Sequence, residues 1–152
     1  DFLKKGTIDE IVYEKCSHLL NGSKIFISEK KNDVLDITSD QFGTPTYAYD
    51  LAFLIIHIIN TDKFLQNNKS SEILHYSNEG KSSWYDFAKE IIGISGINCQ
   101  LNPIGARDYP LAAKRPKYSL LDKTKIKKTF NLEIPNYKQS LEDCIKVIKN
   151  GA

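Results

Sequence analysis

The sequence predicts a mixed α/β chain packed in layers. Residues 34–38 alternate apolar and polar side chains, as a half-buried strand does. Residues 47–60 carry a helical pattern so rich in apolar positions that the helix is expected to be buried on most sides. Short stretches of both kinds then alternate to the end of the chain, with no internal repeat or low-complexity tract. At 152 residues this is one domain's worth of chain, enough to enclose a real core.

The elements follow in order. Residues 7–20 read as a helix, with Thr7 as cap, Glu10 at the capping-box position and Asn21-Gly22 as its stop. A short apolar stretch, Ile25-Phe26-Ile27, leads to the charged run Glu29-Lys30-Lys31. Beyond the strand at 34–38, residues 40–46 are turn formers: Gly43 is expected at positive φ, Pro45 stiffens the turn, and Thr46 caps the apolar helix. A polar loop, 61–71, precedes a short strand at 72–77 and a turn at Asn78-Glu79-Gly80. Ser82 or Ser83 caps the next helix, which runs from Trp84 to about Ile92 with Trp84, Phe87, Ala88 and Ile91 on one face; Gly93 and Gly96 end it. Residues 99–104 form a strand, 106–117 an irregular loop with two prolines, and 118–121 a short strand. Asp122 caps a short basic helix to about Phe130. Pro135 introduces a last helix at 137–149, followed by Gly151.

Composition narrows the function classes. Hydrophobic residues make up 41% and charged residues 26%, a globular profile. A net charge of +2 is too small to argue for nucleic acid by bulk electrostatics. The run at Lys123, Lys125, Lys127 and Lys128 lacks interleaved aromatics or arginines and reads as a solvated face. Cys16, Cys99 and Cys144 are odd in number and widely spaced, so neither a disulfide framework nor a metal site is expected, and a reducing cytoplasm is the default. His57 and His75 have no partner at ligand spacing. No apolar run is long enough to span a bilayer, and no signal peptide is expected. The chain starts at Asp1 and holds no methionine, so the expectation is a piece of a longer product.

Three motifs could carry chemistry. Tyr85 and Lys89 match Tyr-x-x-x-Lys, an acid–base pair one helical turn apart. The eight glycines, however, make no Gly-x-x-Gly-x-x-Gly turn to cradle a pyrophosphate, so this reads as a surface helix. Asp40-Gln41-Phe42-Gly43-Thr44-Pro45-Thr46 follows a strand and opens a helix, where ligands sit in open α/β sheets. Gln41, Thr44 and Thr46 suit a base, a ribose or a sugar; a plain turn and helix cap explains the same residues. Lys114-Arg115-Pro116-Lys117-Tyr118-Ser119 is a basic loop. Arg115 can grip a phosphate with two hydrogen bonds, and Tyr118 can stack on a base or pack in the core. A solvated basic loop is the alternative. Trp84 reads as a core anchor.

Four ordered stretches resemble the C-terminal part of the dTDP-4-dehydrorhamnose reductase family, extended short-chain dehydrogenases of rhamnose synthesis. They are DQFGTPTYAYDLA at 40–52, EILHYSNEGKSSWYDFAKEI at 72–91, DYPLAAKRPKYSLLDKTKI at 108–126 and PNYKQSLEDCI at 135–145. The resemblance implies an α/β (mixed α+β) fragment whose Rossmann N-terminal domain is absent, with 1–33 unassigned and 34–149 as the sugar-nucleotide substrate-binding domain. It implies a parent enzyme that reduces dTDP-4-dehydro-L-rhamnose to dTDP-L-rhamnose with NADPH or NADH, and magnesium in some members. The cofactor site would lie outside this chain, and the chain alone would be inactive, with no catalytic residue of its own. The resemblance places Gln41, Thr44 and Thr46 near the substrate cleft, Arg115 on the pyrophosphate, and Tyr118 and Ser119 as neighbours. The rival expectation is a non-catalytic regulatory or protein-interaction module on the same fold. A regulatory subunit of methionine adenosyltransferase resembles this family, and an apolar face could pair two chains as a homodimer.

Overall fold

A computed structural model describes residues 34–62, 71–108 and 115–150. The helix expected at 7–20, the stretch at 23–31 and Gly151 lie outside the described residues.

Strand β1 (Val34–Thr38) pairs in parallel with β4 (Gln100–Ile104), Val34 opposite Gln100 and Thr38 opposite Ile104. The period of two sorts the faces: Leu35, Ile37 and Leu101 pack on the core, while Asn102 donates to Asp36 at 2.7 Å on the outer side. A parallel pair needs a crossover, and helix α2 (Trp84–Ser95) lies on that path and packs on both strands. Phe87, Ala88 and Ile91 of α2 meet Tyr137, Leu141 and Ile145 of the last helix, α4 (Tyr137–Lys149), to make the core. Phe87 and Tyr137 meet edge to face, ring centres 6.1 Å apart.

Local chemistry explains the helix ends. Ser83 caps α2 in a full capping box with Asp86, and Gly96, at φ 75°, closes it. The helix therefore runs through Gly93, beyond the stop expected near Ile92. Asn136 caps α4 by accepting from the Lys138 N–H. Helix α3 (Thr124–Phe130) begins after Asp122, whose carboxylate accepts from the Thr124 N–H at 2.9 Å.

Several expectations are corrected. Residues 72–77 are not assigned as a strand, and among the described residues no segment pairs with them; Glu79, just beyond, bridges to Asn136. Gly43 does not take positive φ. It lies in strand β2 (Phe42–Gly43), antiparallel to β3 (Ser82–Ser83). Residues 118–121 contribute a single bridge, Tyr118 to Phe42. Thr46 does not cap helix α1 (Ala48–Ile59). Its cap residue is Tyr47, whose N–H donates to the Asn78 side chain at 2.8 Å. Nor is α1 buried on most sides: Leu54 alone is buried, and Phe53 is 67% exposed alongside Tyr49, Ile55, Ile56 and Ile59.

The lysine helix is not simply a solvated face either. Lys123 is buried, donates to the Asn78 carbonyl at 2.9 Å and pairs with Glu79 at 3.0 Å, while Lys127 holds the other Glu79 oxygen and Lys125 pairs with Glu72. The Lys127 hydrogen bond, aided by the bond and charge from Lys123, holds the Glu79 carboxyl below its ordinary value against an opposing effect of burial. A carboxyl with a lowered folded-state pKa stabilises the fold above the unfolded value, and that stabilisation goes as pH falls through the lower, folded value. Urea midpoints are thus expected to fall in acid, and less steeply in Glu79→Gln; an identical acid slope in the variant would refute this assignment.

Candidate functional site

The site is built on Phe42. Its N–H donates to the Lys117 carbonyl at 2.8 Å, and its carbonyl accepts from the Ser119 N–H at 2.9 Å. On its other side Phe42 pairs with Ser83. One short strand therefore joins the 41–46 turn, the start of α2 and the 115–119 loop, three segments far apart in sequence. The Lys81 ammonium closes the outer side, 4.4 Å from the Phe42 ring centre and 5.6 Å from that of Tyr118.

Between these segments lies a hollow of about 360 Å³. Its lining includes Gln41, Thr44, Thr46, Arg115 and Ser119, so five of the six side chains singled out in the sequence meet in one place. Tyr118 does not line it; its ring is 61% exposed beside Lys81. Sequence reasoning missed Tyr76, Trp84 and Leu121, which do line it. Trp84, expected as a core anchor, keeps part of its ring exposed there. The available signal was its position: a lone tryptophan directly after the cap serine sits at the mouth of a helix, not along its buried stripe.

Most lining hydroxyls are already committed. Thr44 donates to the Gly80 carbonyl at 2.7 Å, Ser77 to Asn78, Ser82 to the Ser83 carbonyl, Ser83 to Asp86, and Ser119 to the Phe42 carbonyl at 3.1 Å. Gln41 differs: it is 7% exposed, and among the described residues its carboxamide has no hydrogen-bond partner. A buried amide left unpaired costs about 1–3 kcal/mol, which singles Gln41 out within the lining. Arg115 is exposed, lines the hollow and forms no ion pair among the described residues. Among the described residues no carboxylate lines the hollow, and Arg115 is its one charged lining side chain. Burial, reinforced by Asp50, pushes the Tyr76 phenol up to about 12, which keeps it a neutral donor at ordinary pH.

This arrangement can bind an anion and a polar edge. Among the described residues its lining holds no nucleophile–base pair and no acid–base dyad. Tyr85 and Lys89 lie outside the hollow, Lys89 exposed. His57 and His75 are exposed, and among the described residues no group of three or more His, Cys, Asp or Glu is placed to hold a metal. No helix among them is long and apolar enough to cross a membrane.

Comparison with known proteins places the chain in a family. The family described as "RmlD substrate binding domain" matches residues 16–150. A dTDP-4-dehydrorhamnose reductase of Sinorhizobium fredii is 33% identical over 113 residues, which cover 72% of this chain and 38% of that protein. Among solved structures, a dTDP-4-dehydrorhamnose reductase from Clostridium acetobutylicum superposes with a TM-score of 0.73 at 32% identity, over 84% of this chain and 43% of that one. The reductase from Bacillus anthracis, solved in complex with NADP, gives a TM-score of 0.72 at 27% identity, over 82% and 42%. The chain spans about two fifths of the length of the curated relatives it matches.

Proposed function

The chain belongs to the RmlD substrate-binding domain family, and on that footing we propose that residues 34–149 form the substrate-binding wall of a dTDP-4-dehydrorhamnose reductase. Gln41 carries this reading, as a buried carboxamide that has no partner among the described residues and shares the hollow with an arginine that forms no ion pair among them. A diphosphate-linked sugar offers the two things these groups lack: an anion for the guanidinium and a polar edge for the amide. At about 360 Å³ the hollow lies at the low end for a small-molecule site, which fits one part of a nucleotide-sugar and not the whole.

In this reading the complete enzyme reduces dTDP-4-dehydro-L-rhamnose to dTDP-L-rhamnose in the cytoplasm. In this reading NADPH or NADH is held by the other part of the complete enzyme, in keeping with a sequence whose eight glycines form no Gly-x-x-Gly-x-x-Gly run. The chain alone contributes recognition, not the hydride transfer.

Titration calorimetry tests this. The folded chain is expected to bind dTDP or dTDP-rhamnose, and Arg115→Ala is expected to weaken binding by about 1.5–3 kcal/mol, roughly ten- to hundredfold in Kd. No heat from a folded sample would overturn the reading.

The rival, an interaction module that pairs two chains, draws on one observation, the exposed apolar side chains of α1. Light scattering that finds only monomer would remove it.

A further inference from the structure

Two walls of the hollow come from distant parts of the chain, and one buried cation joins them. Resting on the nucleotide-sugar reading, we infer that Lys123 and Glu79 are positioning residues: their ion pair sets the spacing between the walls and so the affinity for the ligand. On one side Tyr76 and Ser77 line the hollow just before Asn78 and Glu79, and Ser82 and Ser83 line it just after. On the other side Leu121 lines it, two residues before Lys123. The Lys123 ammonium donates to the Asn78 carbonyl at 2.9 Å and pairs with the Glu79 carboxylate at 3.0 Å. Among the described residues, the hydrogen bonds and ion pairs that run directly between 115–123 and 76–84 all start at Lys123.

Stability alone is a weak account of this pair. Lys123 is 8% exposed, and the desolvation penalty of a buried ammonium can exceed the attraction to its carboxylate. A well-packed apolar side chain in its place often stabilises as well. What the ion pair adds is a fixed distance, because a compact ammonium grips two neighbouring acceptors at one point. Phe42 already holds 117–119 against Ser83 through main-chain bonds. Lys123 holds the same stretch beyond Leu121. A wall tied at both ends cannot drift outward between them, and Ser119 and Leu121 lie in that span. The anchor also reaches the 41–46 turn, since the Gly80 carbonyl, next to Glu79, accepts the Thr44 hydroxyl.

The test titrates the full chain and its variants with dTDP by calorimetry, each under conditions where circular dichroism shows it folded. Lys123→Met and Glu79→Gln are each expected to weaken binding about three- to tenfold, and the double variant no more than the more affected single, because each removes the same brace. Without ligand, acrylamide is expected to quench Trp84, the only tryptophan and a lining residue, more strongly in both variants. Gly96→Ala, at the far end of α2 and outside the lining, is expected to lose stability and keep the wild-type affinity. Unchanged affinity in the folded Lys123→Met and Glu79→Gln chains would overturn the brace and leave the nucleotide-sugar reading standing. So would additive losses in the double variant, or an equal loss of affinity in Gly96→Ala. Should Lys123→Met not fold, the Glu79→Gln titration decides alone. No binding of dTDP by the folded wild-type chain would overturn both.

Discussion

Asn78→Ala is expected to lower folding stability by about 3–4 kcal/mol, because it removes four hydrogen bonds at once, one of them to the buried Ser140 and three to partly buried partners. Asn78 is fully buried. Its side-chain oxygen accepts from the Tyr47 N–H at 2.8 Å, and its amide nitrogen donates to Asp50 at 2.5 Å, to Ser140 at 2.9 Å and to the Pro135 carbonyl at 3.3 Å. Ser140 also donates to Asp50, at 2.6 Å. One side chain therefore ties the start of α1 to α4. Alanine removes every side-chain bond at once, while the Lys123 bond to the Asn78 carbonyl survives. With a total stability of about 5–15 kcal/mol for a domain, the loss is a large share. The urea midpoint should fall with an unchanged m-value. A shift worth less than about 1 kcal/mol would mean that water or side-chain relaxation replaces these bonds.

Gly80→Ala is expected to cost about 2–4 kcal/mol, from strain and overlap together. Gly80 has φ 104°, and a Cβ there would lie 2.7 Å from the Tyr137 Cδ1 atom. Tyr137 cannot yield easily: it is a buried member of the core, and its N–H donates to the Glu79 carbonyl at 2.9 Å. Gly96→Ala is the internal comparison. Gly96 also has positive φ, 75°, but a Cβ there meets nothing within 4 Å, so only the backbone cost of about 1 kcal/mol remains. Thermal unfolding of the two variants separates overlap from backbone strain. Equal losses would show that the Tyr137 contact is relieved without cost. Because the Gly80 carbonyl accepts the Thr44 hydroxyl, Gly80→Ala should also weaken ligand binding.

What could be read from the sequence was local. The strand at 34–38, the capping box at Ser83 and the last helix each announce themselves within a few residues, through period, cap chemistry or proline placement. The failures all involve distant partners. Residues 72–77 have a strand-like composition, but among the described residues they have no neighbour to pair with. Gly43 is drawn into extended backbone by Ser82, and Lys123 is buried because Asn78 and Glu79 reach it from 44 or more residues away. Helix α1 has the composition of a buried helix, yet the described residues leave its apolar side chains open. In the hollow, Gln41 and Arg115 were visible as chemistry and Trp84 only by its place after the cap serine, whereas Tyr76 reaches it only through the fold.

The support beneath the hollow comes mainly from main-chain atoms. Phe42 is held by peptide groups on both flanks, so the frame does not depend on which side chains occupy positions 41, 84 and 115. Selectivity in such a site is free to drift, or to be redesigned, one side chain at a time without first rebuilding the scaffold. Libraries randomised at those positions should consist largely of folded members that differ in what they hold.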